Sequence, residues 1–240
     1  MQNFELISFA NADELAACAA SAWLDEIAAS ERAAKPHCVA LSGGRIALKF
    51  FRSVVGQTKE REISFGLVHF FWADERCVPP DDAESNFKTA HELLFAPLRI
   101  NDAHIHRIHG EDSPEIAAQK AVMDISHIAP KNSDGQPVLD QIFLGMGEDG
   151  HVASLFPNQT EGMAPKSIFC AIDFSPKPPP NRVTLSYAAI AAAKNVWVLA
   201  SGAGKQTALR DSLLPEGKTP LANVIHSRPH TKIFADFALP

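Results

Sequence analysis

Several large classes are closed to this chain by what it lacks. It has four cysteines in 240 residues. Cys18, Cys38, Cys77 and Cys170 lie far apart and form no CxxC pair, so free buried thiols in a reducing compartment are expected rather than disulfides. No apolar run reaches the ~18 residues that a membrane span needs. The N-terminus has no basic start followed by an apolar core, and Asp13 and Glu14 interrupt the stretch that comes nearest to one. A cytoplasmic protein with no membrane partner is the expectation. An excess of positive charge is missing too. The formal net charge of −6 argues against nucleic acid or an anionic membrane as the main partner. A local cluster of Arg and Lys can still hold a small anion. Neither the full dinucleotide fingerprint nor a P-loop spacing occurs, and no redox or metal motif is present, so no cofactor is implied.

What is there is ordinary globular composition, 46% apolar and 21% charged, in a chain long enough to bury a core without staples. Asn11 or Asp13 is placed to cap an Ala-rich helix running to about Arg32. Short apolar strands are expected at His37–Leu41, Phe65–Trp72, Leu139–Leu144 and Asn195–Ala200, with the second apolar enough to be central. Weaker strand candidates are residues 105–108, 167–172, 182–185 and 231–235. Helices are expected after Gly44, over Asn86–Leu94, over Pro114–Ile128, from Lys205 to about Leu214, and over Pro220–His226. Strands and helices thus alternate along almost the whole chain. That is the pattern of an α/β fold with a mostly parallel central sheet, helices on both faces and a Rossmann-like arrangement. There is no internal repeat, and the Pro-rich stretch Pro176–Pro180 is too short for a linker, so residues 1–240 read as one domain.

Ligands of such sheets bind at the carboxyl ends of the strands, and four of these ends carry unusual chemistry. Ser42-Gly43-Gly44-Arg45 is a glycine turn opening a helix, where backbone N–H groups and the helix dipole favour an anion. Trp72-Ala73-Asp74-Glu75-Arg76 puts two acids and a cation just past a strand. Gly145-Met146-Gly147-Glu148-Asp149-Gly150-His151 packs three glycines and two acids against one histidine. A neutral imidazole there can take a proton from water near pH 7, and Asp149 is placed to orient it. Ser201-Gly202-Ala203-Gly204-Lys205 is a second glycine turn whose lysine opposes the helix dipole unless an anion is bound. Together these point to a phosphorylated small molecule. His104, His106 and His109 look like a metal cluster, but no carboxylate or Cys accompanies them, and a metal site is not expected. Trp23, Trp72 and Trp197 read as core residues.

The glycine–histidine stretch resembles the GMGxDGH signature shared by 6-phosphogluconolactonases and glucosamine-6-phosphate isomerase–deaminases. Phe71-Trp72-Ala73-Asp74-Glu75-Arg76-Cys77-Val78-Pro79, Glu84-Ser85-Asn86-Phe87, Arg182-Val183-Thr184-Leu185 and Gly202-Ala203-Gly204-Lys205 resemble lactonase segments in the same order. Deaminases carry an acid in an N-E-P triplet after the histidine. This chain has Leu155-Phe156-Pro157, which suits the lactonase pattern. The resemblance runs from about Val39 to Phe234. Two departures stand out: the usual S-G-G-S-T-P reads Ser42-Gly43-Gly44-Arg45-Ile46-Ala47 here, and Val152 replaces the usual Thr after the histidine.

The resemblance implies a phosphogluconolactonase-type fold and hydrolysis of 6-phospho-D-glucono-1,5-lactone. It implies His151 as general base and then acid, Asp149 as the holder of its tautomer, Asp74 on sugar hydroxyls, and Arg76 on the substrate, on Asp74 or on the oxyanion. The phosphate is expected among Ser42, Gly43, Gly44, Lys205, Arg182 and Arg45, with Gly147 in the glycine turn beside the reacting carbonyl. The implied partner is this sugar lactone, with the protein a monomer or weak homo-oligomer. An amino-sugar isomerase–deaminase and a non-catalytic sugar-phosphate sensor are the competing readings.

Overall fold

The structure is a computed structural model that describes residues 3–158 and 166–238. Nine strands are β1 (Phe4–Ser8), β2 (His37–Leu41), β3 (Val68–Trp72), β4 (Asp74–Arg76), β5 (Gln141–Gly145), β6 (Phe169–Ile172), β7 (Arg182–Leu185), β8 (Asn195–Ala200) and β9 (Thr231–Ala235) among the described residues. The α-helices are α1 (Ala12–Arg32), α2 (Arg45–Arg61), α3 (Asn86–Ala90), α4 (Ala96–Leu98), α5 (Pro114–Ile128), α6 (Tyr187–Ala192), α7 (Gln206–Leu213) and α8 (Pro220–His226). A π-helical turn, His91–Phe95, joins α3 to α4.

Six strands form one sheet in the order β1-β9-β8-β5-β2-β3, and every neighbouring pair is parallel. The expected α/β alternation is therefore realised. A second, three-stranded antiparallel sheet, β4-β7-β6, stands beside it. The two meet where β3 runs into β4: Ala73 N–H donates to the Leu41 carbonyl at 2.7 Å, and Leu185 N–H donates to the Ala73 carbonyl at 2.7 Å.

Local chemistry explains the elements around the core. The Asn11 side chain accepts from Asp13 N–H at 3.0 Å and Glu14 N–H at 2.9 Å, capping α1 as expected. Trp23 of α1 lies edge-on to Phe143 of β5 at 5.2 Å and Phe70 of β3 at 6.4 Å, and beside Phe50 of α2 at 5.7 Å. Its indole N–H donates to His37 Nε2 at 3.1 Å. While Phe143 faces these helices, its neighbours Ile142 and Leu144 are also buried, so both faces of β5 are covered.

Three expectations need correction. β3 is an edge strand, not a central one. Its apolar run is explained by cover on both faces: Phe95 packs on Phe70 and Trp72, and the His106 ring stacks on Phe71 at 4.6 Å. The strand expected at residues 105–108 is a single bridge from Ile105 to Phe70, preceded by a 3₁₀ turn at Asp102–His104. Cys18 is an exposed free thiol, because it lies off the buried stripe of α1 that contains Leu15, Ala19 and Trp23. Cys38 is buried as expected, and burial pushes its thiol up to about 12.

Trp23→Ala should destabilise the protein by about 3–5 kcal/mol, since no small side chain fills the space between α1, α2 and the sheet. Urea unfolding measures this. A loss below about 1 kcal/mol contradicts the packing role.

Candidate active site

The strand order places the carboxyl ends of β3, β2, β5 and β8 side by side. The four chemically unusual turns follow from these ends and share one cleft that opens to solvent. Of the side chains expected at a site, all but Asp149 and Gly147 line it. Those two stand behind His151.

The β5 turn is built around His151. Gly147 N–H donates to the His151 carbonyl at 2.9 Å, folding the chain back on itself. His151 Nδ1 then meets Asp149 Oδ1 at 2.5 Å, and the ring rests beside Phe156, 4.7 Å between centroids. Glycine is required at 147: a Cβ there would sit 2.0 Å from His151 Nδ1 and 2.6 Å from Asp149 Oδ1. Gly147 thus makes room for the acid–imidazole contact and does not itself line the cleft. At Gly150, φ is +78°, and a Cβ would press on Thr219 at 2.7 Å.

Partial burial pushes the Asp149 carboxyl up, but the bond to His151 and the nearby Lys177 ammonium outweigh it and bring the group down to about 2. Burial lowers the His151 pKa below its ordinary value of 6.5. Asp149 works against this and Lys177 adds to it. The imidazole is therefore neutral near pH 7, with Nδ1–H toward Asp149 and Nε2 left to accept a proton.

The opposite wall comes from β4 and α3. Asp74 is buried and accepts from Ser154 Oγ at 2.7 Å. Glu75 turns away from the cleft and caps α3: its carboxylate accepts from Asn86 N–H at 2.8 Å, Phe87 N–H at 2.7 Å, Arg76 N–H at 2.8 Å and Ser85 Oγ at 3.2 Å. Burial pushes Glu75 up to about 7 against these bonds. Asn86 bridges the walls. Its Nδ2 donates to the Asp74 carbonyl at 2.9 Å, and its side chain fills the space a Gly43 Cβ would need, at 1.9 Å. Arg76 Nη1 donates to the Glu84 carbonyl at 2.7 Å, and its Nε is buried without a hydrogen-bond partner.

At the first glycine turn, Gly44 begins α2 with φ of +97° and no side-chain cap. The first N–H groups of the helix are thus free to meet an anion. The Ser42 hydroxyl donates to the Phe143 carbonyl at 2.8 Å. Arg45 is exposed at the cleft mouth. The second glycine turn differs from expectation, because it already holds an anion. Asp236 accepts from Gly202 N–H at 2.8 Å and from Ser201 Oγ at 2.5 Å. What this turn offers the cleft is the Lys205 side chain. Burial lowers the Lys205 pKa and Arg45 adds to the shift, while Asp236 and Glu148 oppose it.

Arg182 is buried and mostly committed. Its Nε donates to the Pro179 carbonyl at 3.0 Å, and Nη2 donates to those of Lys177 at 3.1 Å and Pro178 at 3.0 Å. Lys177 was not singled out from the sequence, where one lysine among prolines reads as solvated. Its Nζ lies 3.2 Å from His151 Nδ1 and 3.4 Å from Asp149 Oδ2. Val152, the second departure, is fully buried beneath the turn. Away from the cleft, His104 and His106 are joined by His69 rather than His109, with His69 Nδ1 3.0 Å from His106 Nε2.

Open strand ends, an acid-oriented imidazole and an uncapped helix start define an α/β protein with a polar, anion-receptive cleft. Residues 10–233 match the family model described as glucosamine-6-phosphate isomerases/6-phosphogluconolactonase, and the chain belongs to this family. A 6-phosphogluconolactonase of Treponema pallidum is 38% identical over 78% of this chain and 74% of its own length. That of Mycobacterium bovis is 34% identical over 84% and 82%. The solved 6-phosphogluconolactonase of Trypanosoma brucei superposes with a TM-score of 0.82 at 26% identity, covering 98% of this chain and 97% of that one. Within the family, the resemblance to the lactonases is the one these relatives share.

Gly147→Ala should fold yet cost about 1–3 kcal/mol, because the added methyl must displace the His151 ring or Asp149. A crystal structure of the variant should show the 2.5 Å contact broken. An unmoved ring would refute the steric argument.

Proposed function

We propose that the chain hydrolyses 6-phospho-D-glucono-1,5-lactone to 6-phospho-D-gluconate, the second step of the oxidative pentose phosphate pathway. The observation that carries this reading is His151, backed by Asp149, lining the same cleft as the uncapped start of α2 and Lys205. The lactonase relatives support the substrate class.

In this reading the phosphate lies at the α2 N-terminus between Arg45 and Lys205, which sets the lactone carbonyl near His151. A water molecule attacks the carbonyl carbon, and His151 Nε2 takes its proton. Asp149 holds Nδ1–H in place and stabilises the imidazolium that forms. Negative charge develops on the carbonyl oxygen, with Arg76 or backbone N–H groups of the glycine turn as its donors. The tetrahedral intermediate collapses by breaking the bond from the carbonyl carbon to the ring oxygen. The imidazolium returns its proton to that oxygen, leaving a hydroxyl and a carboxylic acid that ionises. Asp74, held by Ser154, accepts from sugar hydroxyls. Arg182 contributes mainly by holding the 177–179 backbone, so its part in phosphate binding is smaller than the resemblance implies. The protein would act as one domain in the cytoplasm, as a monomer or weak homo-oligomer. Phe156, packed on His151 where a deaminase carries its acid, disfavours the amino-sugar reading.

His151→Ala should lower kcat for freshly generated lactone by a factor on the order of 10²–10⁴. The readout is NADP reduction coupled through 6-phosphogluconate dehydrogenase, with the spontaneous rate subtracted. An unchanged kcat removes His151 from the role, and no wild-type rate above background refutes the function. The base must be neutral, so kcat/KM should fall as pH drops through the His151 pKa. Since burial lowers that pKa, the midpoint should lie below 6.5. A midpoint above 6.5 contradicts the environment described for the ring.

A further inference from the structure

The Pro-rich segment approaches the Asp149–His151 pair as a braced loop. Ser175 N–H donates to the Pro180 carbonyl at 2.8 Å, and Ser175 Oγ donates to the Lys177 carbonyl at 2.8 Å. Arg182 gathers the carbonyls of Lys177, Pro178 and Pro179 around one buried guanidinium. That guanidinium lies 5.7 Å from the centroid of Phe156, whose ring also backs His151. The loop is therefore tied to the same aromatic ring as the imidazole, and Lys177 is its one side chain that reaches the pair.

Valence decides what Lys177 does there. His151 Nδ1 has a carboxylate oxygen at 2.5 Å and an ammonium nitrogen at 3.2 Å. A nitrogen that close to a carboxylate carries the proton and donates it, so it cannot also accept from Lys177. The acceptor left for the ammonium is Asp149 Oδ2, at 3.4 Å. One carboxylate thus meets two groups, the imidazole N–H hydrogen-bonded to Oδ1 and the lysine ammonium as an ion pair on Oδ2. Such sharing fixes the plane of the carboxylate and hence the ring.

We propose that Lys177 is a positioning residue of this site, locking the Asp149 carboxylate onto His151 Nδ1 and opposing protonation of the imidazole, with Arg182 as the clamp that holds Lys177 in place. The proposal deepens the hydrolytic reading and rests on it for its consequence in turnover. The charged groups that act on the ring are Asp149 and Asp74, which favour the imidazolium, and Lys177, which disfavours it. Arg76, Arg182 and Lys205 share the cleft. Without Lys177 the carboxylate has only the imidazole to neutralise it, so the imidazolium becomes easier to form. The base is then lost at a higher pH.

The test is an NMR titration of the His151 ring in wild type, Lys177→Met and Lys177→Arg, with the resonance assigned from a His151→Asn spectrum. Thermal unfolding checks that each variant is folded. The Lys177 side chain is 44% exposed, so its loss should leave the core intact. The His151 pKa should rise in K177M and return toward the wild-type value in K177R. Turnover of K177M near neutral pH should fall about 10- to 100-fold, mainly in kcat, from misplacement of the base. The acid limb of its kcat/KM profile should move to higher pH. Arg182→Gln, which frees the loop, should reproduce the shift in the His151 titration.

A folded K177M whose His151 titrates as in wild type overturns the proposal, as does failure of K177R to restore the pKa. The titration needs no substrate. A pKa shift in a protein without lactonase activity therefore refutes the hydrolytic reading alone. Wild-type turnover with an unmoved pKa refutes the Lys177 proposal alone.

Discussion

The contact between Asp149 and His151 constrains the rest of the site. It demands that a chain leaving a β-strand reverse within a few residues, so that a side chain at 149 can meet a ring at 151. Only a turn without side chains at its inner positions permits this. Gly147 leaves the ring its space, and Gly150 adopts the left-handed conformation where Thr219 leaves no room for a Cβ. The turn is anchored from outside as well: the Gly150 carbonyl accepts from Leu221 N–H at 3.0 Å, which joins it to the start of α8. The imidazole is thus held by backbone geometry on one side and by Phe156 on the other, which leaves the ring little freedom to reorient.

A second constraint sits across the cleft, where a carboxylate does structural work. Glu75 accepts three hydrogen bonds at the start of α3, from Ser85, Asn86 and Phe87, and a fourth from Arg76 N–H in β4. Burial raises its pKa and neighbouring Asp74 adds to the rise, while the backbone N–H bonds from Asn86, Phe87 and Arg76 favour the ionised form. By fixing the N-terminus of α3 it fixes Asn86, and Asn86 sets both the approach of Gly43 and the backbone of Asp74. Neighbouring acids in one short strand therefore have different tasks: Asp74 faces the ligand space, and Glu75 holds the wall that Asp74 stands on.

These tasks mark the limit of what the sequence makes legible. Alternating apolar runs and caps disclose the parallel sheet, because burial on both faces leaves a continuous apolar signature. Glycine, acid and histidine clustered at a strand end disclose the cleft, because few structural needs gather those residues together. Strand order is not encoded so locally. β3 reads as central since covered edges and central strands bury the same surface. β4 is three residues long and carries Asp, Glu and Arg, so it has no apolar pattern to detect. β1 carries no clear strand signature for a related reason: its partly exposed residues pair with β9, from the far end of the chain. Lys177 and Asp236 act through tertiary proximity alone, and Arg182 spends its donors on carbonyls that no residue type advertises.

The charge balance joins these observations to the proposed ligand. The protein carries a net charge of −6, yet its cleft is lined by Arg45, Arg76, Arg182 and Lys205. Four acids nearby are engaged: Asp74 by Ser154, Asp149 by His151 and Lys177, Glu75 by α3, and Asp236 by the second glycine turn. Their negative charge is met by internal donors, while Arg45, at the uncapped start of α2, and Lys205 both line the cleft. Burial and the charge of Arg45 both weigh against the Lys205 ammonium. An anion bound between them would relieve that repulsion and satisfy the open helix N–H groups together. A phosphate monoester supplies the required charge, and its attachment to a sugar sets the distance from this anchor to the carbon that His151 would serve. Under the proposed reading, the departure at Arg45 would replace hydroxyl contacts with charge and keep the backbone cradle.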